Sequence, residues 1–106
     1  MAQNFGDFNP ALTAAVKRIA NGDSEAVFFS PHAFEREDER DINHLTVWSC
    51  LRRGKVYGPE WIDGELRANV VHLGLHVRVA IGALGFDTDS DWSDLSAIVV
   101  CTVMAI

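Results

Sequence analysis

The chain has 106 residues, 48% of them hydrophobic, which suits one domain around one core and leaves no length for a second. Nine Lys and Arg against fifteen Asp and Glu give a formal charge of −6, the wrong balance for a protein that coats itself with nucleic acid. No run of about 18 apolar residues occurs, and Met1 to Asp7 hold neither a basic start nor an apolar signal core, so the sequence predicts a cytoplasmic protein without export or membrane insertion.

Asn9-Pro10 is the first helix-start signal, with a side chain able to accept from the first unpaired amides and a proline where its missing N–H costs nothing. Leu12, Val16, Ile19 and Ala20 form an apolar stripe, Lys17 and Arg18 suit the helix C-terminus, and Asn21-Gly22 supplies a stop. Ala26-Val27-Phe28-Phe29 then predicts a brief strand. Ser30-Pro31 repeats the start signal for a short helix over about 31–40, with Ala33 and Phe34 inward. A third helix starts at Asn43, with Ile42 and Val47 as a hydrophobic staple and Leu45, Val47, Trp48 and Leu51 toward the core. Arg52 and Arg53 close it and Gly54 ends it.

After Gly54 the apolar period switches from about 3.6 to 2, the mark of strands. The first covers 55–62, Asp63-Gly64 is a hairpin signal of type I′, and the second covers 66–73. Gly74 breaks or bends the chain. Residues 76–83 alternate His76, Arg78 and Ala80 with Val77, Val79 and Ile81, and Asp87 to Asp94 form a polar loop. Residues 97–104 are apolar almost throughout, as for a central strand covered on both faces. Together these predict a single α+β domain over 1–106, with N-terminal helices packed on an antiparallel β-sheet. Cys50 and Cys101 sit inside apolar patterns and read as buried thiols rather than a disulfide framework.

The richest chemistry lies behind Ser30-Pro31. His32, Arg36 and Glu39 are four and seven positions apart, within about 60° of one another around a helix, and Arg40 flanks them. Such a face holds a phosphate or is a solvated surface with ordinary ion pairs. Charge does not decide between these readings. Residues 30–82 are nearly neutral, with seven bases against eight acids, while Asp87, Asp89, Asp91 and Asp94 have no base among them.

The pattern Ser30-x-His32-Ala33-x-x-Arg36-x-x-Glu39-Arg40-x-Ile42, followed by a helix ending at Gly54 and then a sheet, resembles the small bacterial domains of the RelE-like and barnase-like toxin superfamily. It is more closely similar to an uncharacterised family within it whose members begin with a Ser-x-His-Ala-x-x-Arg motif. The likeness spans roughly residues 27 to 104. It implies a RelE-like fold and metal-independent cleavage of RNA, as by an mRNA interferase of a toxin–antitoxin pair. RNA is then the substrate, an antitoxin or other protein a partner, and no cofactor is called for. Thr102 matches a Thr of the family pattern, as a hydrogen-bond donor. Thr102-Val103-Met104 stands where the family closes with Thr-x-aromatic, so the ring that would stack on a base is absent there.

The residue chemistry is compatible with that implication. Cleaving RNA through its own 2′-hydroxyl needs a proton acceptor, a proton donor and cations for the phosphate. His32 is the natural proton carrier at neutral pH. Arg36, Arg40, Arg67 or Arg78 offers the bidentate fork that a phosphate matches, and Glu39 either acts as a base or orients an Arg. The rival expectation is a non-catalytic protein-binding module, an inhibitor or adaptor, using the acidic 87–94 loop with Trp92, Trp61 or Tyr57. Metal sites are not expected. Asp87-x-Asp89-x-Asp91 has Trp92 where a calcium loop needs Gly and Ile98 where it needs Glu, and His72 and His76, on one strand face, lack a Cys pair. No signal for an oligomeric state is present.

Overall fold

Side-chain caps set where each helix begins. The structure, a computed structural model, describes residues 5–81 and 91–106. Helix α1 (Pro10–Gly22) starts where Asn9 Oδ1 accepts from the Leu12 amide at 2.9 Å. A short 3-10 turn (Ser24–Ala26) leads into β1 (Val27–Phe29). Ser30 caps α2 (Pro31–Glu39), its Oγ accepting from the Ala33 amide at 3.0 Å, and Asn43 caps α3 (His44–Arg53) through the Leu45 amide at 2.8 Å. At Gly54 a Cβ would stand 2.5 Å from the Cys50 carbonyl oxygen, so no larger residue fits this exit into β2 (Lys55–Ile62).

Strands β3 (Glu65–His72), β4 (Leu75–Ala80) and β5 (Ile98–Ala105) complete the sheet, and a second 3-10 turn (Trp92–Asp94) precedes β5. Asp63-Gly64 joins β2 to β3 with both residues at positive φ, 52° and 79°, as a type I′ turn requires. Leu73-Gly74 repeats this between β3 and β4, at 44° and 83°. Gly74 therefore does more than bend the chain: it closes a hairpin.

The sheet order is β1-β5-β4-β3-β2. Its pairs are antiparallel except β1 with β5, which is parallel. The expectation of an antiparallel sheet is thus corrected to a mixed one, because β1 enters from the helical half of the chain and takes the edge beside β5. Where β1 ends, α2 continues along that edge. The Ser30 amide donates to Val100 O at 3.0 Å, Ser30 Oγ to Cys101 O at 3.2 Å, and Arg40 Nη1 to Val103 O at 2.7 Å. These bonds answer carbonyls that an edge strand would otherwise leave open.

The core lies between α1, α3 and one face of the sheet. Leu12, Val16 and Ile19, with Val47 and Leu51, meet Leu66, Val70, Val77, Val79, Ile98 and Val100, all essentially inaccessible. Each such side chain contributes about 1.5–3 kcal/mol on burial. Four expectations change here. Phe34 is half exposed, and Glu37 takes the inward place beside Ala33, since α2 rests on a sheet edge and buries only a narrow stripe. Leu45 is 73% exposed, because Val47, Cys50 and Leu51 already fill the inward arc of α3. Strand β5 is covered on one face only, leaving Val99, Thr102, Met104 and Cys101 partly accessible. His72 pairs with Leu75 and His76 with Val71, so the two imidazoles lie on opposite faces. Cys50 is a buried free thiol and Cys101 a half-buried one. Among the described residues no helix is long and apolar enough to cross a membrane.

Candidate functional site

The period-2 alternation that buries Leu66, Ala68 and Val70 turns Glu65, Arg67 and Asn69 of β3 to the other face. On β4 it does the same for His76, Arg78 and Ala80. Between β4 and β5 the register slips: Arg78 pairs with Thr102 but Val79 with Val100, so Cys101 is an extra residue in β5. Such a bulge re-aims side chains, and here Cys101 and Thr102 both reach the open face. The start of α2 walls this face. The result is a cleft of about 460 Å³ with Ser30 and His32 on one side, Glu65, Arg67, Arg78 and Ala80 on the sheet, and Val99, Cys101 and Thr102 along β5.

Four of the seven residues singled out in the sequence, His32, Arg67, Arg78 and Thr102, line this cleft. The other three do not. Arg36 lies behind His32, its Nε donating to His32 Nε2 at 3.2 Å, and is ion-paired to Glu39. Arg40 is spent on the β5 edge through Val103 O. Because Arg36 occupies Nε2, the His32 proton belongs on Nδ1, which faces Glu35 Oε2 at 4.0 Å. The ring is about half exposed, so it is open to solvent.

The two cleft arginines differ in how they are held. Arg67 Nε and Nη2 both donate to Glu65 Oε2, at 3.1 and 3.0 Å, which fixes the guanidinium and sets a carboxylate against its charge. Arg78 has no carboxylate partner among the described residues; its Nε lies 3.4 Å from Asn69 Oδ1. Asn69 Oδ1 also accepts from His76 Nε2 at 2.8 Å, and Asn69 Nδ2 donates to Phe5 O at 2.9 Å. Under the Phe5 ring, at 4.7 Å edge-on, His76 is 6% exposed. That burial, helped by the Arg78 charge, lowers its pKa to about 4, so it is a neutral support for Asn69 at physiological pH. Burial likewise pushes the Cys101 thiol up, which keeps it protonated beside the arginines.

Sequence reading named Arg67 among the phosphate-binding options and missed Glu65 and the Asn69–His76 support. The signal for Glu65 was present: it precedes Arg67 by two residues on a strand, hence on the same face. Elsewhere, the Glu37 carboxylate contacts His44 Nδ1 at 2.7 and 3.1 Å while Trp48 Nε1 donates to His44 Nε2 at 3.1 Å, so this histidine is fully engaged by the fold. Half of the acidic 87–94 loop, residues 87–90, lies outside the described residues. Its described end, Asp91 to Asp94, is anchored to α1 by Arg18 Nη2, which donates to Ser93 O at 3.2 Å and Leu95 O at 2.7 Å. No group of three or more His, Cys, Asp or Glu side chains suited to a metal occurs among the described residues. No family model matches the chain, and neither a curated protein nor a solved structure matches it.

Proposed function

We propose that the protein is a metal-independent endoribonuclease of the mRNA interferase type on a RelE-like fold, and that the cleft between α2 and the open sheet face is where it cuts. One observation carries this reading: an imidazole, two guanidinium groups and two hydroxyls share one cleft, and Arg78, unlike Arg67, is not neutralised by a carboxylate.

In the proposed reaction the 2′-oxygen of the ribose bonds to phosphorus as the bond from phosphorus to the 5′-oxygen breaks. The 2′-hydroxyl proton goes to a base and the departing 5′-oxygen takes a proton from an acid. Glu65 and His32 are the two proton-transfer groups lining the cleft, and we assign the carboxylate as acceptor and, as donor, the imidazolium that forms when His32 Nε2 takes up a proton and gives up the Arg36 bond. Arg78 and Arg67 offset the charge gathering on the phosphate, and Thr102 donates a hydrogen bond to one of its oxygens. Arg36 is a positioning residue that orients the neutral His32 ring.

Incubation of the purified protein with end-labelled RNA in EDTA tests this. Cleavage is expected to persist in EDTA, and His32→Ala and Arg78→Met are each expected to lower kcat/KM by about 100-fold or more. Absence of cleavage by the wild type, or an undiminished rate in His32→Ala, overturns the assignment.

A further inference from the structure

Phe28 is the middle residue of the edge strand β1 and is 52% exposed, although both of its neighbours are covered. Val27 is in the core, and Phe29 packs on Phe34, His44 and Trp48 at centroid distances of 5.5, 4.7 and 5.6 Å. Strand alternation therefore turns Phe28 to the opposite face, which is the face of the cleft. The strand register and the position of the next residues along the chain both place it there. Its parallel partner across β1 and β5 is Val99, which lines the cleft, and Ser30, two residues further along the chain, lines it too. The β1 backbone at Phe28 runs about one strand spacing, ~4.8 Å, from β5 at Val99, so its exposed side chain stands beside the cleft. Phe5, Phe8, Tyr57, Phe29, Phe34 and Trp48 all have ring partners; no ring contact among the described residues involves Phe28.

We propose that Phe28 is the platform on which a base of the bound RNA stacks, next to the nucleotide whose phosphate lies on Arg78 and Arg67. The proposal rests on the ribonuclease reading above. A nucleotide is the ligand that presents a flat π-face and a phosphate within a few ångströms of each other, and the rim ring and the unpaired guanidinium offer the matching pair. Charge strengthens the case. The chain carries −6 overall and the cleft only a small excess of positive charge, so phosphate contacts alone hold a polyanion weakly and a non-electrostatic contact must supply part of the binding. This also places a stacking ring at β1, whereas the sequence pattern sought it at position 104, occupied by Met104.

The test measures binding rather than cleavage. A fluorescein-labelled 2′-O-methyl RNA hexamer, which lacks the attacking hydroxyl, is titrated by anisotropy against an abasic sugar-phosphate oligomer of equal length. Phe28→Ala is expected to weaken the base-bearing oligomer roughly tenfold, the size of one lost stack, and to leave the abasic one unchanged. Phe28→Leu, which keeps apolar bulk without a π-face, should lose as much, and Phe28→Trp should restore binding. Equal affinity of wild type and Phe28→Ala for the base-bearing oligomer overturns the stack, as does an equal loss on both oligomers. A wild type that cleaves RNA while Phe28→Ala binds normally overturns the stack alone; a wild type that neither binds nor cleaves overturns the ribonuclease reading with it.

Discussion

Acidification from pH 8 to pH 5 should cost the fold about 2 kcal/mol through His76 alone, and the prediction can be followed from single contacts. His76 is the most buried of the four histidines. Its Nε2 proton is committed to Asn69 Oδ1 at 2.8 Å, the Phe5 ring covers it, and Arg78 lies two residues along on the same face. Across the sheet, Glu60 Oε1 reaches only Asn69 Nδ2, at 3.5 Å, and offers the imidazole no direct counter-charge. The pKa accordingly falls from 6.5 to about 4. In the unfolded chain the ring protonates first, so its contribution to stability is complete above pH 6.5 and is lost as the pH falls toward 4. At about 1.36 kcal/mol per pH unit, the loss approaches about 3 kcal/mol at the acid limit and about 2 kcal/mol at pH 5. Urea unfolding followed by tryptophan fluorescence at pH 8, 7, 6 and 5 measures it, with His76→Gln as the reference that keeps a donor for Asn69 but does not titrate. Wild type should lose about 2 kcal/mol more than the variant over this range. Parallel pH dependences, or an NMR titration that puts His76 near 6.5, would refute the reasoning. Phe5→Ala, which uncovers the ring, should move its pKa back toward 6.5.

Leu66→Ala, at a fully buried position in β3, should cost about 2–5 kcal/mol in urea unfolding, whereas Leu45→Ala, on the exposed side of α3, should stay within about 0.5 kcal/mol. A large loss at Leu45 would mean that α3 packs through a different face. Arg40→Ala removes the bond to Val103 O and should lower stability by about 1 kcal/mol. Because Arg40 does not line the cleft, RNA cleavage by the folded variant should match wild type, and a catalytic loss at unchanged stability would return Arg40 to the site.

Local signals in the chain were legible because their physics is local. Asn9, Ser30 and Asn43 cap the three helices as their residue types predict, and Asp63-Gly64 forms the hairpin its left-handed preference demands. What the sequence could not supply was the partner of each face. Leu45 fits an apolar helical arc as well as Cys50 does, and only the position of α3 over β3 and β4 decides which one is buried. Leu73 hid the second hairpin, since a leucine at positive φ is not a turn signal. The parallel pairing of β1 was equally invisible: three apolar residues carry no indication of strand direction.

The same division runs through the site. His32 and Arg36 are adjacent because four residues make one helical turn, and that contact was readable. Arg78 meeting Thr102 depends on a one-residue slip at Cys101, and Phe28 meeting Val99 depends on the direction of β1; both are consequences of tertiary pairing. Net charge misleads for a related reason. It sums acids at the far end of the chain with arginines on the open sheet, whereas a phosphate in the cleft meets only what lines it: Arg67 already shared with Glu65, and Arg78 held by a neutral Asn69. The buried, uncharged His76 is what lets Asn69 stay aimed at Arg78 without cancelling its charge. A carboxylate at position 69 would hold Arg78 more firmly and remove the unneutralised guanidinium on which the proposed phosphate binding depends.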